Sequence, residues 1–126
     1  MVVEGLLYTK DHEWAKVEGD IVTMGITDYA QEQLGELVFV ELPEVGKEIA
    51  ARKEIAVVES SKAAGDVYSP VTGTVTEVNS ELATQPELIN EDCYKGGWIC
   101  KLKLTDKKSL DNLMDAKKYQ EYLDTL

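Results

Sequence analysis

Lys62 is the residue of this chain best suited to covalent chemistry, because of what stands on either side of it. Before it, Ile55, Val57 and Glu59 alternate with Ala56, Val58 and Ser60, the period of two that marks a strand. After it, Val67 and Tyr68 resume strand-forming residues and Pro70 stops the run. Only small or polar residues lie between. The pattern predicts two short strands meeting at a tip, with the lysine carrying its ammonium clear of the body on a flexible four-carbon stem. An amine presented in that way can be reached and acylated by an enzyme. The plain alternative is a lysine that only hydrates an exposed turn, as most do. Short motifs of this kind are weak by themselves.

Other candidates for chemistry are few. Cys93 and Cys100 are seven apart, which is neither a redox pair nor a zinc spacing, and the single histidine, His12, completes no familiar metal set with them. Both thiols are expected reduced and buried or half-buried, and His12 is expected to be structural, beside a core Trp14. No glycine-rich phosphate loop follows a strand, and no Ser/His/Asp or Cys/His set is visible. Carboxylates are plentiful but form no acid–base pattern. The expectation is therefore a non-catalytic protein, with no catalytic residue and no metal ligand.

The chain has 126 residues, 44% apolar and 29% charged, which fits one domain spanning residues 1–126 with a single core. Thirteen basic and twenty-four acidic side chains leave a net charge of −11. Nucleic-acid binders need clustered positive charge, so this balance argues strongly against that function. An acidic surface favours encounter with basic proteins, or simply keeps the molecule dispersed. No apolar run approaches the roughly 20 residues of a membrane helix. The first ten residues have neither a secretory nor an Arg-rich transit pattern. A cytoplasmic protein is expected, or the mature form of one from an organelle matrix.

Around the lysine, short strands are expected at residues 6–8, 12–17, 21–26, 37–42, 71–78 and 98–104, separated by Gly or Pro turns. Val22, Met24 and Ile26 should share one face. Residues 27–35 read as a short helix capped by Thr27 or Asp28, with Gln31 three after Asp28 as a capping box and Gly35 as a left-handed stop. Residues 79–85 read as a helical turn capped by Ser80 and ended by Pro86, and residues 90–97 as loop. Gly65 is expected to permit a tight return after the lysine. Near the C-terminus the period changes. Leu110, Leu113 and Met114 fit one short helix capped by Ser109. Tyr119, Tyr122, Leu123 and Leu126 fit a second beginning after Asp115, covering an open end of the sheet.

Glu59, Lys62, Ala63, Ser69 and Pro70 match the lipoyl-attachment hairpin, in which a Glu three before the Lys, a small residue after it and a downstream Ser-Pro recur. The string from Glu59 to Pro70, together with residues 8–14, 25–46 and 119–123, resembles the H-protein family of the glycine cleavage system almost end to end. The helix-containing stretch 25–46 sets it apart from the shorter lipoyl domains of 2-oxoacid dehydrogenases. The resemblance implies a mainly β fold, a barrel-sandwich hybrid with a short internal helix and a C-terminal helical extension at about 109–126. It implies (R)-lipoate joined to Lys62 by an amide, with Glu59 recognised by a lipoate ligase or lipoyl transferase. It also implies a monomeric carrier serving glycine decarboxylase (P protein), the aminomethyltransferase (T protein) and dihydrolipoyl dehydrogenase (L protein). Ser61 stands where Val is usual, Gly65 where Ser is, and Cys93 where Pro is. Those departures keep open an H-like carrier or relay for another lipoate pathway, such as sulfur oxidation, and an unmodified adaptor. Ser61 and Ala63 replace the methionines of a biotin hairpin, so biotin is disfavoured.

Overall fold

A computed structural model describes residues 2–126. Among the described residues the chain is mainly β, with nine strands in two antiparallel sheets. Strands β1 (Leu7–Tyr8), β2 (Glu13–Glu18) and β3 (Ile21–Ile26) form a meander. Helix α1 (Asp28–Leu34) then leads to β4 (Leu37–Glu41). Strands β5 (Glu48–Ile49), β6 (Glu54–Ser60), β7 (Ala64–Tyr68) and β8 (Thr72–Val78) follow. A 3-10 turn (Ser80–Ala83), helix α2 (Leu88–Asp92), β9 (Cys100–Asp106), a second 3-10 segment (Lys107–Asn112) and helix α3 (Ala116–Leu123) complete the chain. The six-stranded sheet has the order β1-β2-β3-β9-β8-β5 and the three-stranded sheet the order β4-β6-β7.

The two sheets close on the main apolar core, the barrel-sandwich arrangement, and a second buried cluster of Leu6, Tyr8, Trp14, Ala116 and Tyr119 departs from the single core expected. Val22, Met24 and Ile26 of β3 all point into it, and Leu37, Val40, Ile55, Val58 and Val67 enter from the smaller sheet. Cys93 and Cys100 are buried and unbridged, and desolvation pushes both thiols up to about 12, so neither forms a thiolate readily.

Several local expectations need correction. Of the two cap candidates for α1 it is Thr27 that serves, its hydroxyl accepting from the Ala30 amide at 3.3 Å. Gln31 donates to the Asp28 side chain instead of closing a capping box. Asn90–Asp92 belong to α2 and are not loop. Asp106, not Ser109, caps the 3-10 segment; Ser109 is buried and donates to the Asp106 carbonyl while accepting from the Thr72 amide. That segment ends at Asn112, and Met114 instead exchanges two backbone hydrogen bonds with Tyr8.

Helix α3, capped by Asp115, covers the β1 end of the larger sheet as its apolar spacing predicts. Tyr119 is fully buried and stacks on Tyr8 with ring centroids 4.5 Å apart. Its hydroxyl lies 2.8 Å from both His12 Nδ1 and Thr27 Oγ1. His12 is thus structural, and burial lowers its pKa, so the imidazole is neutral. Leu126 lies beyond the helix and is 61% exposed. Tyr119→Phe keeps the stacking and removes the shared hydroxyl, leaving His12 and Thr27 short of a partner. It is expected to cost about 1–2 kcal/mol, read as a shift in the denaturant midpoint at constant slope.

Candidate functional site

The lysine hairpin is built on the central strand of the smaller sheet. Strand β6 pairs with β4 on one side and β7 on the other, so the base of the hairpin is hydrogen-bonded on both edges. Val58, Val67 and Ile55 anchor it in the core. Pairing runs up to Glu59 opposite Ala64, and only Ser61, Lys62 and Ala63 lie beyond the strands.

Ser60 closes the tip. Its backbone N–H donates to the Ala63 carbonyl at 2.7 Å. Its side-chain oxygen accepts from the amides of Lys62 and Ala63 at 3.3 and 3.0 Å. A serine hydroxyl that satisfies local amides is a turn-forming device, and here it replaces the positive-φ residues of tighter hairpins. No tip residue has positive φ. Gly65 does not either, and a methyl group there would make ordinary contact with Leu34 at 3.5 Å. The tight return therefore belongs to Ser60, not Gly65.

Lys62, Ser61, Ala63 and Ala64 are all exposed, as is Glu59. Among the described residues, neither Lys62 nor Glu59 takes part in an ion pair. The stem of Lys62 is not fully clear of the body, however. It lies over Gly35, close enough that a Cβ there would sit 3.0 Å from Lys62 Cε. Gly35 ends α1 with φ 84 and ψ −166, a stop outside the left-handed helical region that a side chain would strain. The amine is accessible while its stem rests on the α1–β4 junction.

That junction is pinned by Asn90, expected in a loop and found in α2. Its side-chain oxygen accepts from the Leu37 amide at 2.8 Å, and its amide nitrogen donates to Gln31 Oε1 and the Gly35 carbonyl, both at 2.9 Å. Three of the four hydrogen bonds open to an asparagine side chain go into fixing the end of α1 against the start of β4. An asparagine in a polar stretch carries no signal of this, because its partners lie more than fifty residues away.

The residues present fit an amide-linked arm. The turn around the nitrogen is small-sided, the nitrogen is in no ion pair among the described residues, and the base is hydrogen-bonded on both edges. An open cleft of about 670 Å³, lined in part by Glu41, Pro43, Val45, Glu54 and Val57, sits at the opposite end of β6 from Lys62. Among the described residues no group of three His, Cys, Asp or Glu is placed to hold a metal ion.

The chain is similar to known proteins along nearly its whole length. The profile of the family "Glycine cleavage H-protein" matches residues 6–126. The glycine cleavage system H protein of Parvibaculum lavamentivorans is 58% identical, over 94% of this chain and 95% of its own. That of Halothermothrix orenii is 54% identical, over 98% and 96%. The probable glycine cleavage system H protein of Pyrococcus horikoshii is 58% identical, over 99% and 94%. The crystal structure of a glycine cleavage system H protein from Mycobacterium marinum superposes with a TM-score of 0.89 at 36% identity, over 99% of this chain and all of the other. A family profile spanning nearly the whole chain, relatives above half identity and a common fold make this chain a member of the glycine cleavage H-protein family.

Proposed function

We propose that this chain is the lipoyl carrier of a glycine cleavage system, with (R)-lipoate in amide linkage to Lys62. The observation that carries the reading is the unpaired, exposed Lys62 amine at a tip whose base is locked on both edges, in a chain of this family. When attached to Lys62, the cofactor would supply a disulfide able to carry the aminomethyl group of glycine, serving the pyridoxal-phosphate decarboxylase, the tetrahydrofolate-dependent aminomethyltransferase and dihydrolipoyl dehydrogenase.

The chain's own contribution is positional. Lys62 in its neutral form attacks the acyl carbon of a carboxyl-activated lipoate. The N–C bond forms, the activating group leaves and the ammonium proton passes to solvent. Net charge goes from −11 to −12. Ser60 holds the turn, and Glu59, exposed beside it, serves recognition by the lipoate ligase or lipoyl transferase. The rigid hairpin keeps the arm at a high effective concentration at each docked enzyme. The protein itself catalyses no step and works as a monomer in the cytoplasm, or in an organelle matrix if processed there.

The test is an intact mass of the protein from its own source, with a peptide map across Glu54 to Tyr68. A lipoyl adduct on Lys62 is expected. An unmodified Lys62, in cells that lipoylate other proteins, overturns the carrier reading.

A further inference from the structure

Val38 and Phe39 are, among the described residues, the large exposed apolar side chains nearest the lysine tip, and the backbone explains why they are exposed. From Leu37 to Phe39 strand β4 advances two residues while β6 advances one, from Ser60 to Glu59. The extra residue is a β-bulge. In a regular strand Leu37 and Val40, three apart, would face opposite sides. Here both are buried, at 2% and 5% exposure, and the two residues between them are turned outward, at 60% and 50%. Phe39, the single phenylalanine of the chain, lies directly across from Glu59, three residues before Lys62. Gly35, under the lysine stem, opens the loop into the same strand.

Nothing inside the molecule gains from this arrangement, since an exposed phenylalanine forgoes burial. Adjacent exposed apolar side chains beside a reactive group mark a contact surface. The surrounding charge has one sign. Across residues 35–41 and 57–66, Glu36, Glu41, Glu59 and Asp66 are exposed carboxylates and Lys62 is the only cation. The bulge also disrupts the free edge of β4, which discourages strand addition by a second copy.

We propose that Val38 and Phe39, beside Glu59, form an apolar docking patch for the enzyme that acylates Lys62, which presents an apolar socket rimmed by basic residues. The proposal rests on the reading of Lys62 as an acylation site. It commits to that enzyme rather than the later partners for a geometric reason. Acylation needs the activated carboxyl brought to bonding distance of Nζ itself, so the enzyme must cover the residues immediately around the lysine. Enzymes acting on the far end of a flexible arm need not. In the step, the Nζ–acyl bond forms, the acyl–oxygen bond of an acyl-adenylate breaks, and nucleotide monophosphate and a proton leave.

The experiment uses the full-length, unmodified protein with purified lipoate–protein ligase, lipoate and ATP, following initial rates by intact mass. The double variant Val38→Ser/Phe39→Ser is expected to lower kcat/KM for modification by roughly tenfold or more, the scale of a lost aromatic anchor, carried by KM. Its melting temperature should match wild type. Val45→Ser, a control at a site 61% exposed beyond the C-terminal end of β4, should modify at the wild-type rate. Once fully lipoylated, the double variant should support glycine cleavage with unchanged kinetics. Equal kcat/KM for double variant and wild type overturns the patch. So does a matching loss in the lipoylated variant, which assigns the patch to later partners. A wild-type dimer that the double variant dissociates overturns it in favour of a second copy. A wild-type chain that this ligase does not acylate at Lys62 overturns the reading of Lys62 first, and the patch with it.

Discussion

Lys62→Arg is expected to give a folded protein that stays at its polypeptide mass and supports glycine cleavage only at the background rate of the other components. The change removes one property and keeps the rest. Arginine stays protonated at any accessible pH, so it offers no lone pair to an activated acyl group. Charge at the tip is unchanged. The aliphatic part of the side chain can still lie over Gly35, and Lys62 is in no ion pair among the described residues, so no partner is orphaned. Surface changes of this kind stay within about 0.5 kcal/mol of wild-type stability. The measurements are intact mass after exposure to ligase, the thermal midpoint, and glycine-dependent cofactor reduction with purified partners. Full turnover by Lys62→Arg would sink the carrier reading, because no other residue has the same placement at a locked hairpin tip. Loss of turnover with a lowered midpoint would instead point to misfolding, and the midpoint tells the two apart.

The hairpin was readable because it obeys local rules. A period of two, a patch of small residues and a proline stop are all properties of neighbouring residues. The elements that support it depend on distant ones. Residues 37–42 are nearly all apolar, and such a run reads as a strand buried on both faces. Only the register with β6 shows that Val38 is an insertion and that Phe39 faces out. Asn90 has three hydrogen bonds that define the ground beneath Lys62, all to residues 31–37. The role assigned to Gly65 failed for the opposite reason. Glycine's conformational freedom is a permission, and the Ser60 side chain had already satisfied the amides of the turn. At the C-terminus, spacing identified α3 and its start after Asp115, which the structure shows to be its cap, while Ser109 was drawn away from capping by the Thr72 amide across the sheet. Patterns that repeat within a few residues survive folding; roles set by a long-range partner have to be seen.

Glu13 is the sharpest case of such a partner, and it predicts how stability depends on pH. In sequence it is one acid among twenty-four. In the fold it is 2% exposed at the start of β2. Thr9 Oγ1 donates to Glu13 Oε1 at 2.5 Å, and the Tyr68 amide, at the base of the lysine hairpin, donates to Oε2 at 3.3 Å. Desolvation outweighs those two bonds and pushes its pKa from 4.5 to about 7, with Asp11 adding to the rise and Arg52 opposing it. Arg52 and Asp11 are paired to each other at 3.0 Å, so their effects largely offset. Because the folded value lies above the unfolded one, the folded state binds more protons between the two. The stabilisation is complete below about pH 4.5 and is lost as pH rises through 7. The difference corresponds to about 3 kcal/mol across that window. An acidic chain also repels itself more as pH rises, so wild type alone cannot isolate the effect. Glu13→Gln can. The amide is neutral throughout, and its oxygen can accept from Thr9, but its NH2 then faces the Tyr68 donor at a cost of about 1 kcal/mol. Denaturant midpoints from pH 5 to 8.5 should therefore show the variant equal to or below wild type at pH 5. Above pH 7.5 it should exceed wild type by about 1–2 kcal/mol, the desolvation gain less the mispaired amide. Parallel profiles for the two proteins would mean that Glu13 titrates as an ordinary carboxylate. Water would then have to reach the space between β2 and the base of the lysine hairpin.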